Sequence, residues 1–239
     1  DLNLSPFRHL IRSIWIMGKI SMQVLPYNEN LHGDHALIVA WMNSHHYAKD
    51  TPTKPWRGCI SAPRILRLKT TTTGVCLVQS FPNQLKQGFK AIKLDYPKQL
   101  DQRQSWSYLI LSNSFHLEIQ LKFNSPGIFG LKLFAKANQC FQIEFDSSKK
   151  EIRIDRRNAG LNNFNPQFSS YDIIAFDFTN QPLHIEVLVD HSTIEIFLDY
   201  GRLTASYLFF PDQGTSQIEF VTKKTTLIIK SIRYSVFEL

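Results

Sequence analysis

LHIEVLVDHSTIEIFLDYGRLTASYLFF, residues 183–210, is the stretch whose reading decides the fold. Leu183, Ile185, Val187 and Val189 recur at every second residue, and Ile194, Ile196 and Leu198 do the same after a polar break. That period sends one apolar row inward from an extended chain. Asp190-His191-Ser192 and Asp199-Tyr200-Gly201 supply the interruptions, because Asp caps a turn with its own side chain and Gly accepts a positive φ. Three antiparallel strands in a meander follow. Glu195 alternates to the face opposite Ile194 and Ile196, so it points to solvent or to another domain.

Outward from this meander the same texture continues. Short strands are expected at 115–123, 130–135, 140–145 and 151–155 on one side, and at 216–220 and 226–238 on the other. Strands with turn signals and no helical period between them predict an antiparallel β-sandwich over 106–239. Phe81-Pro82-Asn83-Gln84 opens a polar, Lys-rich stretch, which predicts a linker over 81–105. Upstream, ALIVAWMN from Ala36 is a short buried strand, NSHHYAKDTPTKPWRG is a loop, and strands at 65–68 and 75–79 flank a Thr-rich turn ending at Gly74. Phe7, Leu10, Ile11, Ile14 and Trp15 have the mixed spacing of an amphipathic helix.

Composition bounds the function classes. A chain of 239 residues with 43% hydrophobic residues sustains a packed core. The 27 basic residues exceed the 20 acidic ones by 7, but the basic pairs (Lys149-Lys150, Arg156-Arg157, Lys223-Lys224) fall at turns. Scattered charge of this kind makes a solvated surface and not a phosphate-binding stripe, so no nucleic-acid partner is expected. Cys59, Cys76 and Cys140 are odd in number and far apart, which indicates neither a disulfide framework nor a zinc site. His45-His46 and the nearby His32 and His35 lack the spacing of metal ligands, so neither metal nor cofactor is expected. No apolar run reaches membrane-spanning length, and no signal-peptide pattern is visible. The start at Asp1-Leu2-Asn3 suggests a fragment or a processed product.

Three segments together resemble glycoside hydrolase family 32, the invertases, inulinases and levanases. ALIVAWMNSHHYAKDTPTKPWRGCISAPRILRL (36–68) is similar to the family's last propeller blade, with W-M-N, then Y, then D-x-P-T-x-P-W-R-G and S-x-P-R-x-L. FDSSKKEIRIDRRNAG (145–160) is similar to a sandwich segment carrying D-R-x-x-S/A-G, and the opening meander is similar to V-D-R-S-S-V-E-V-F-x-N-D-G-R. The resemblance implies an all-β fold: the last blade, in part, of a five-bladed β-propeller over 1–80, then the sandwich, with 1–15 matching nothing in the family. It also implies a fructose-containing carbohydrate as partner, sucrose or a fructan, and an extracellular enzyme.

The resemblance equally shows what these residues lack. Family members cleave fructosyl bonds with retention, using a carboxylate nucleophile and a carboxylic acid about 5 Å apart. The family carries them in W-M-N-D-P-N-G and E-C, with a stabilising Asp in R-D-P, and none of these occurs here. Trp41-Met42-Asn43 continues with Ser44-His45-His46, so it matches the later, fifth-blade W-M-N instead. Aligned on Gly18, the family's D-x-G-x-D-F-Y-A becomes Ile16, Ile20, Ser21 and Met22, which points to a decayed or truncated coding sequence.

No catalytic residue is therefore assigned. By resemblance Trp41 lies at the sugar pocket, where an aromatic face packs on sugar C–H groups, and Tyr47, Trp56 and Arg57 are further substrate-binding candidates. Asp190-His191-Ser192 contains the residue types of a hydrolytic triad, but consecutive residues of one turn cannot align nucleophile, base and orienting group. Glu186 and Asp190 stand about 13 Å apart by strand rise, too far for a retaining pair. Two further expectations are a carbohydrate-binding or purely structural sandwich as the alternative role, and self-association through an exposed propeller edge.

Overall fold

A computed structural model describes residues 21–24, 36–71, 74–179, 181–212 and 214–237. The helix expected within 5–20 lies outside them. Strands β1 (Ser21–Val24), β2 (Ala36–Trp41), β3 (Arg64–Thr71) and β4 (Gly74–Ser80) pair antiparallel in chain order as one four-stranded sheet. A four-stranded sheet of this kind is the repeating unit of a propeller, and it stands where the last blade is expected.

Helix α1 (Asn83–Gln87) leads to β5 (Phe89–Ile92), β6 (Gln99–Leu100), β7 (Ser105–Leu109), β8 (Phe115–Phe123) and β9 (Ile128–Lys136). Then come β10 (Gln139–Asp146), β11 (Glu151–Asp155), β12 (Tyr171–Ala175), β13 (Leu183–Asp190), β14 (Thr193–Leu198), β15 (Leu203–Leu208), β16 (Gln217–Thr222) and β17 (Leu227–Phe237). One sheet runs β12-β11-β10-β9-β16-β7 and the other β15-β14-β13-β8-β17-β5, with β6 also on β17. The opening meander is β13-β14-β15, registered through Val187 with Ile196 and Ile196 with Ala205.

The inward rows meet as the alternation requires. Ile185, Val187, Ile194 and Ile196 join Leu131, Phe141, Ile143, Phe145, Ile152 and Ile154 of the opposite sheet in one core. Phe129 and Phe145 stack there with centroids 4.7 Å apart, a packing worth roughly 0.5–1.5 kcal/mol beyond the area it buries.

Residues 81–105 depart from the free linker expected of them. β5 and β6 hydrogen-bond to β17 along the edge opposite β8, β6 at its start and β5 at its end. Lys90, Lys93 and Lys98, which made the stretch read as a connector, stand on exposed positions, while Lys86 is half-buried and Leu100 enters the core. Two further strands, β7 and β12, lie where no strand was expected. Both are edges of their sheet, with mostly exposed or half-buried side chains.

Candidate functional site

The outer face of the meander is also covered. His184, Glu186 and Leu188 of β13 are buried, as are Glu195 and Phe197 of β14 and Thr204 and Ser206 of β15. The blade and the segment leading from it supply that cover. Glu195 faces the other domain: Oε1 accepts from the Ala62 backbone N–H at 2.7 Å, and Oε2 accepts from Arg64 Nη2 at 2.5 Å and Nε at 3.1 Å. Arg64 also donates to Gln79 Oε1 at 3.1 Å and to Ser206, and lies 4.9 Å over the Phe197 ring. Both side chains of the ion pair are only 3% exposed. A desolvated pair is tolerated when its remaining donors and acceptors are satisfied, as these are.

A second tie runs through the turn of the meander. The Gln79 N–H donates to the Gly201 carbonyl at 3.0 Å. Gly201 has φ +82°, and a Cβ there would sit 1.7 Å from Gln79 O, so only glycine permits this approach. Phe81 and Phe197, with centroids 4.2 Å apart, and Leu188 close the apolar part of the seam.

Towards the other end of the junction the D-R-x-x-A-G segment builds a pocket. Gly160, at φ +116°, brings the chain so near Phe210 that a Cβ would lie 2.0 Å from its carbonyl oxygen. The Leu161 N–H donates to that same oxygen at 2.8 Å. Arg156 is thereby folded inward, 5% exposed, between the rings of Phe168 (4.2 Å), Tyr207 (5.6 Å) and Tyr47 (5.7 Å). Its Nε donates to Ser170 Oγ at 2.8 Å and its Nη1 to the Leu208 carbonyl at 3.0 Å. The pocket beside it has a volume of about 150 Å³, and Ser44, His46, Tyr47, Arg156, Asp172 and Tyr207 are among its walls. Tyr207 donates its hydroxyl to Asp172 Oδ2 at 3.1 Å. Burial, reinforced by the Asp172 charge, holds that phenol well above the usual tyrosine pKa. Asn165 secures the loop opposite through Asp50 Oδ2 (2.7 Å) and the His46 carbonyl (3.2 Å). A larger cleft of about 560 Å³ lies between Ile60 and the β13–β14 turn, with Leu85, Phe89, Leu188 and Phe237 among its walls.

Of the four residues singled out for substrate, only Tyr47 lines the junction pocket. Trp41 ends β2, half-buried, its ring tilted against His45 at 5.2 Å. Tyr47 is buried edge-on against Phe168 at 5.2 Å and lines the junction pocket, while Trp56 and Arg57 stand exposed on the loop beyond. Arg64, Arg156, Asp172 and Glu195 carry the junction instead. Three of these four had a signal in the chain: Arg64 inside S-x-P-R-x-L, Arg156 inside D-R-x-x-A-G, and Glu195 through its alternation and its place in the V-E-V-F-like run.

Glu118 and Glu186 are cross-strand partners in register, as are Asp146 and Glu151, where Arg153 Nη2 lies 2.9 Å from both carboxylates; the Glu118–Glu186 pair, with Glu186 buried, invites a glycosidase reading. Their environment argues otherwise. Glu186 lies 2.6 Å from Lys86 Nζ and 2.8 Å from His116 Nε2, and these contacts hold its pKa below the usual value despite burial. His184, 3.1 Å from Glu118, holds that carboxyl at about 2. A general acid needs a raised pKa to carry its proton at neutral pH, so both serve as ion-pair partners. Burial pushes the Cys59 thiol up to about 12, which removes its thiolate. Among the described residues no three His, Cys, Asp or Glu side chains gather as metal ligands.

Residues 83–236 match the description Glycosyl hydrolases family 32 C terminal, and residues 27–80 match Glycosyl hydrolases family 32 N-terminal domain. A levanase of Bacillus subtilis (strain 168) is 28% identical over 211 residues, covering 82% of this chain and 30% of the relative. An extracellular exo-inulinase of Aspergillus awamori is 28% identical over 192 residues, covering 77% of this chain and 35% of the relative. The chain thus spans about a third of the length of these curated relatives. The crystal structure of exo-inulinase from Aspergillus awamori superposes with a TM-score of 0.78 at 22% identity, over 94% of this chain and 44% of that one. The sandwich and the blade before it are therefore the fold of that structure's corresponding part, and the chain belongs to glycosyl hydrolase family 32.

Proposed function

We propose that this chain is the blade-and-sandwich portion of a retaining β-fructosidase acting on sucrose or on fructans such as levan and inulin, and that these 239 residues do not hydrolyse fructosyl bonds by themselves. The observation that carries the reading is the collinear match of both halves of the chain to one family of glycosidases, across a seam held by the buried Arg64–Glu195 pair. Its relatives include a levanase and an exo-inulinase, which supports a fructose-containing carbohydrate as the partner.

Retention requires two carboxyl groups about 5 Å apart, one charged and one protonated. The 239 residues contain none of the family's W-M-N-D-P-N-G, R-D-P or E-C motifs. The cross-strand pair Glu118 and Glu186 has both pKa values lowered. Within this reading Trp41 presents an aromatic face to a sugar ring, Tyr47 holds the loop between Trp41 and Trp56 against the sandwich, and Trp56 and Arg57 lie at the loop's exposed end. Release of fructose from sucrose, inulin and levan is the test. The expected result is none above the uncatalysed rate, and turnover by this chain alone overturns the reading.

A further inference from the structure

We infer that the pocket at the blade–sandwich junction is a binding site for a single neutral sugar unit. Its oddest member is Arg156. A guanidinium carries five N–H donors and cannot shed its charge, and burying one without a carboxylate partner is costly. Arg156 is buried, caged by three aromatic rings, and hydrogen-bonded only to a serine hydroxyl and a backbone carbonyl. Among the described residues its Nη2 makes no hydrogen bond, and neither does Asp172 Oδ1 on another wall of the same pocket.

These two groups specify the ligand chemistry. Arg156 only donates and Asp172, as a carboxylate, only accepts. An inorganic anion would satisfy the first and be repelled by the second, and an ammonium ion the reverse. Adjacent hydroxyls of a sugar both accept and donate, so one ring answers both groups at once. Ser44, Gln167 and Ser170 add groups of the same two-way kind, and Met42, Tyr47 and Tyr207 supply apolar wall for the ring's C–H face. A volume of about 150 Å³ has room for one hexose.

Calorimetric titration of the 239-residue chain with D-fructose, D-glucose and sodium sulfate tests the inference. Neither monosaccharide has a glycosidic bond to cleave, so the outcome is independent of the hydrolytic reading. Saturable binding of at least one hexose is expected, with a dissociation constant on the order of millimolar. Gln167 is exposed on the pocket wall, so Gln167→Trp should fill the pocket and abolish the heat while leaving the melting temperature unchanged. Asp172→Asn removes an acceptor-only group and should weaken binding by roughly tenfold. Four results overturn the site: no saturable heat with either hexose at about 100 mM, sulfate binding in place of sugar, hexose binding untouched by Gln167→Trp, or binding lost in Trp41→Ala but kept in Gln167→Trp.

Discussion

In the sandwich, β13 and β14 bury side chains on both faces, one against the core and one against the blade. In the blade, β3 begins at buried Arg64 and runs outward to Leu68, which is 67% exposed, beside Val75 at 53% on β4. Both regions are antiparallel strands with alternating side chains, so the difference is not one of local structure. It lies in closure. Two facing sheets complete a core between themselves, whereas a single four-stranded sheet has no second layer of its own. The blade is held at its Arg64–Gln79 end by Glu195, Gly201 and Phe197, and its stability depends on that seam.

Glu195→Ala should break this comparison most severely. It leaves Arg64 buried without its carboxylate, a loss of roughly 3–5 kcal/mol for a desolvated pair. Hydrogen exchange read along the chain should show protection lost over 36–80 and retained in β8, β13 and β17. Simultaneous loss in both regions would mean that blade and sandwich unfold as one unit. Glu195→Gln keeps an acceptor for Arg64 and should cost less.

Gly201→Ala attacks the same seam from the turn of the meander. The new Cβ meets the Gln79 carbonyl at 1.7 Å, so β4 must withdraw or the turn must reshape, at a cost of about 1–3 kcal/mol. Its signature is a lowered melting temperature with the same regional pattern of exchange. Acid should act on the sandwich side. Glu118 and Glu186 have folded pKa values below the usual 4.5, so both favour the folded state above that value. That contribution is lost as pH falls through the folded values, about 2 for Glu118, because only the charged carboxylates hold His184, His116 and Lys86. Urea midpoints should therefore decline between about pH 4.5 and pH 2, and Glu118→Gln should flatten part of that decline.

The same contrast explains which parts of the molecule were legible in the chain. Residues 183–210 announce their strands because β13 and β14 stand inside a sheet, where an unbroken apolar row on one face is required. SWSYL and YDIIA of β7 and β12 sit at sheet edges, where half the positions face water and the row dissolves into mixed residues. β5 and β6 are shorter still and interleaved with lysines. Alternation told which way Glu195 points but not what it meets, since Arg64 is 131 residues away. The junction pocket was less legible again. Tyr47, Arg156, Asp172 and Tyr207 come from four separate segments, and no periodicity within one segment encodes their meeting.

The smallest effect is expected at the blade's open end. Leu68 and Val75 are neither in the core nor in the seam, so replacing both by Lys removes little apolar burial, and the stability should stay within about 0.5 kcal/mol. Their consequence lies between molecules. Apolar residues exposed at a sheet that lacks its own second layer favour contact with another copy. Light scattering of the unaltered chain should therefore show mass rising with concentration, and the Leu68→Lys, Val75→Lys double variant should flatten that rise. A clean monomer before substitution would remove the self-association. A loss of stability well beyond 0.5 kcal/mol would show that this end of the blade is packed after all, and would erase the contrast with the sandwich.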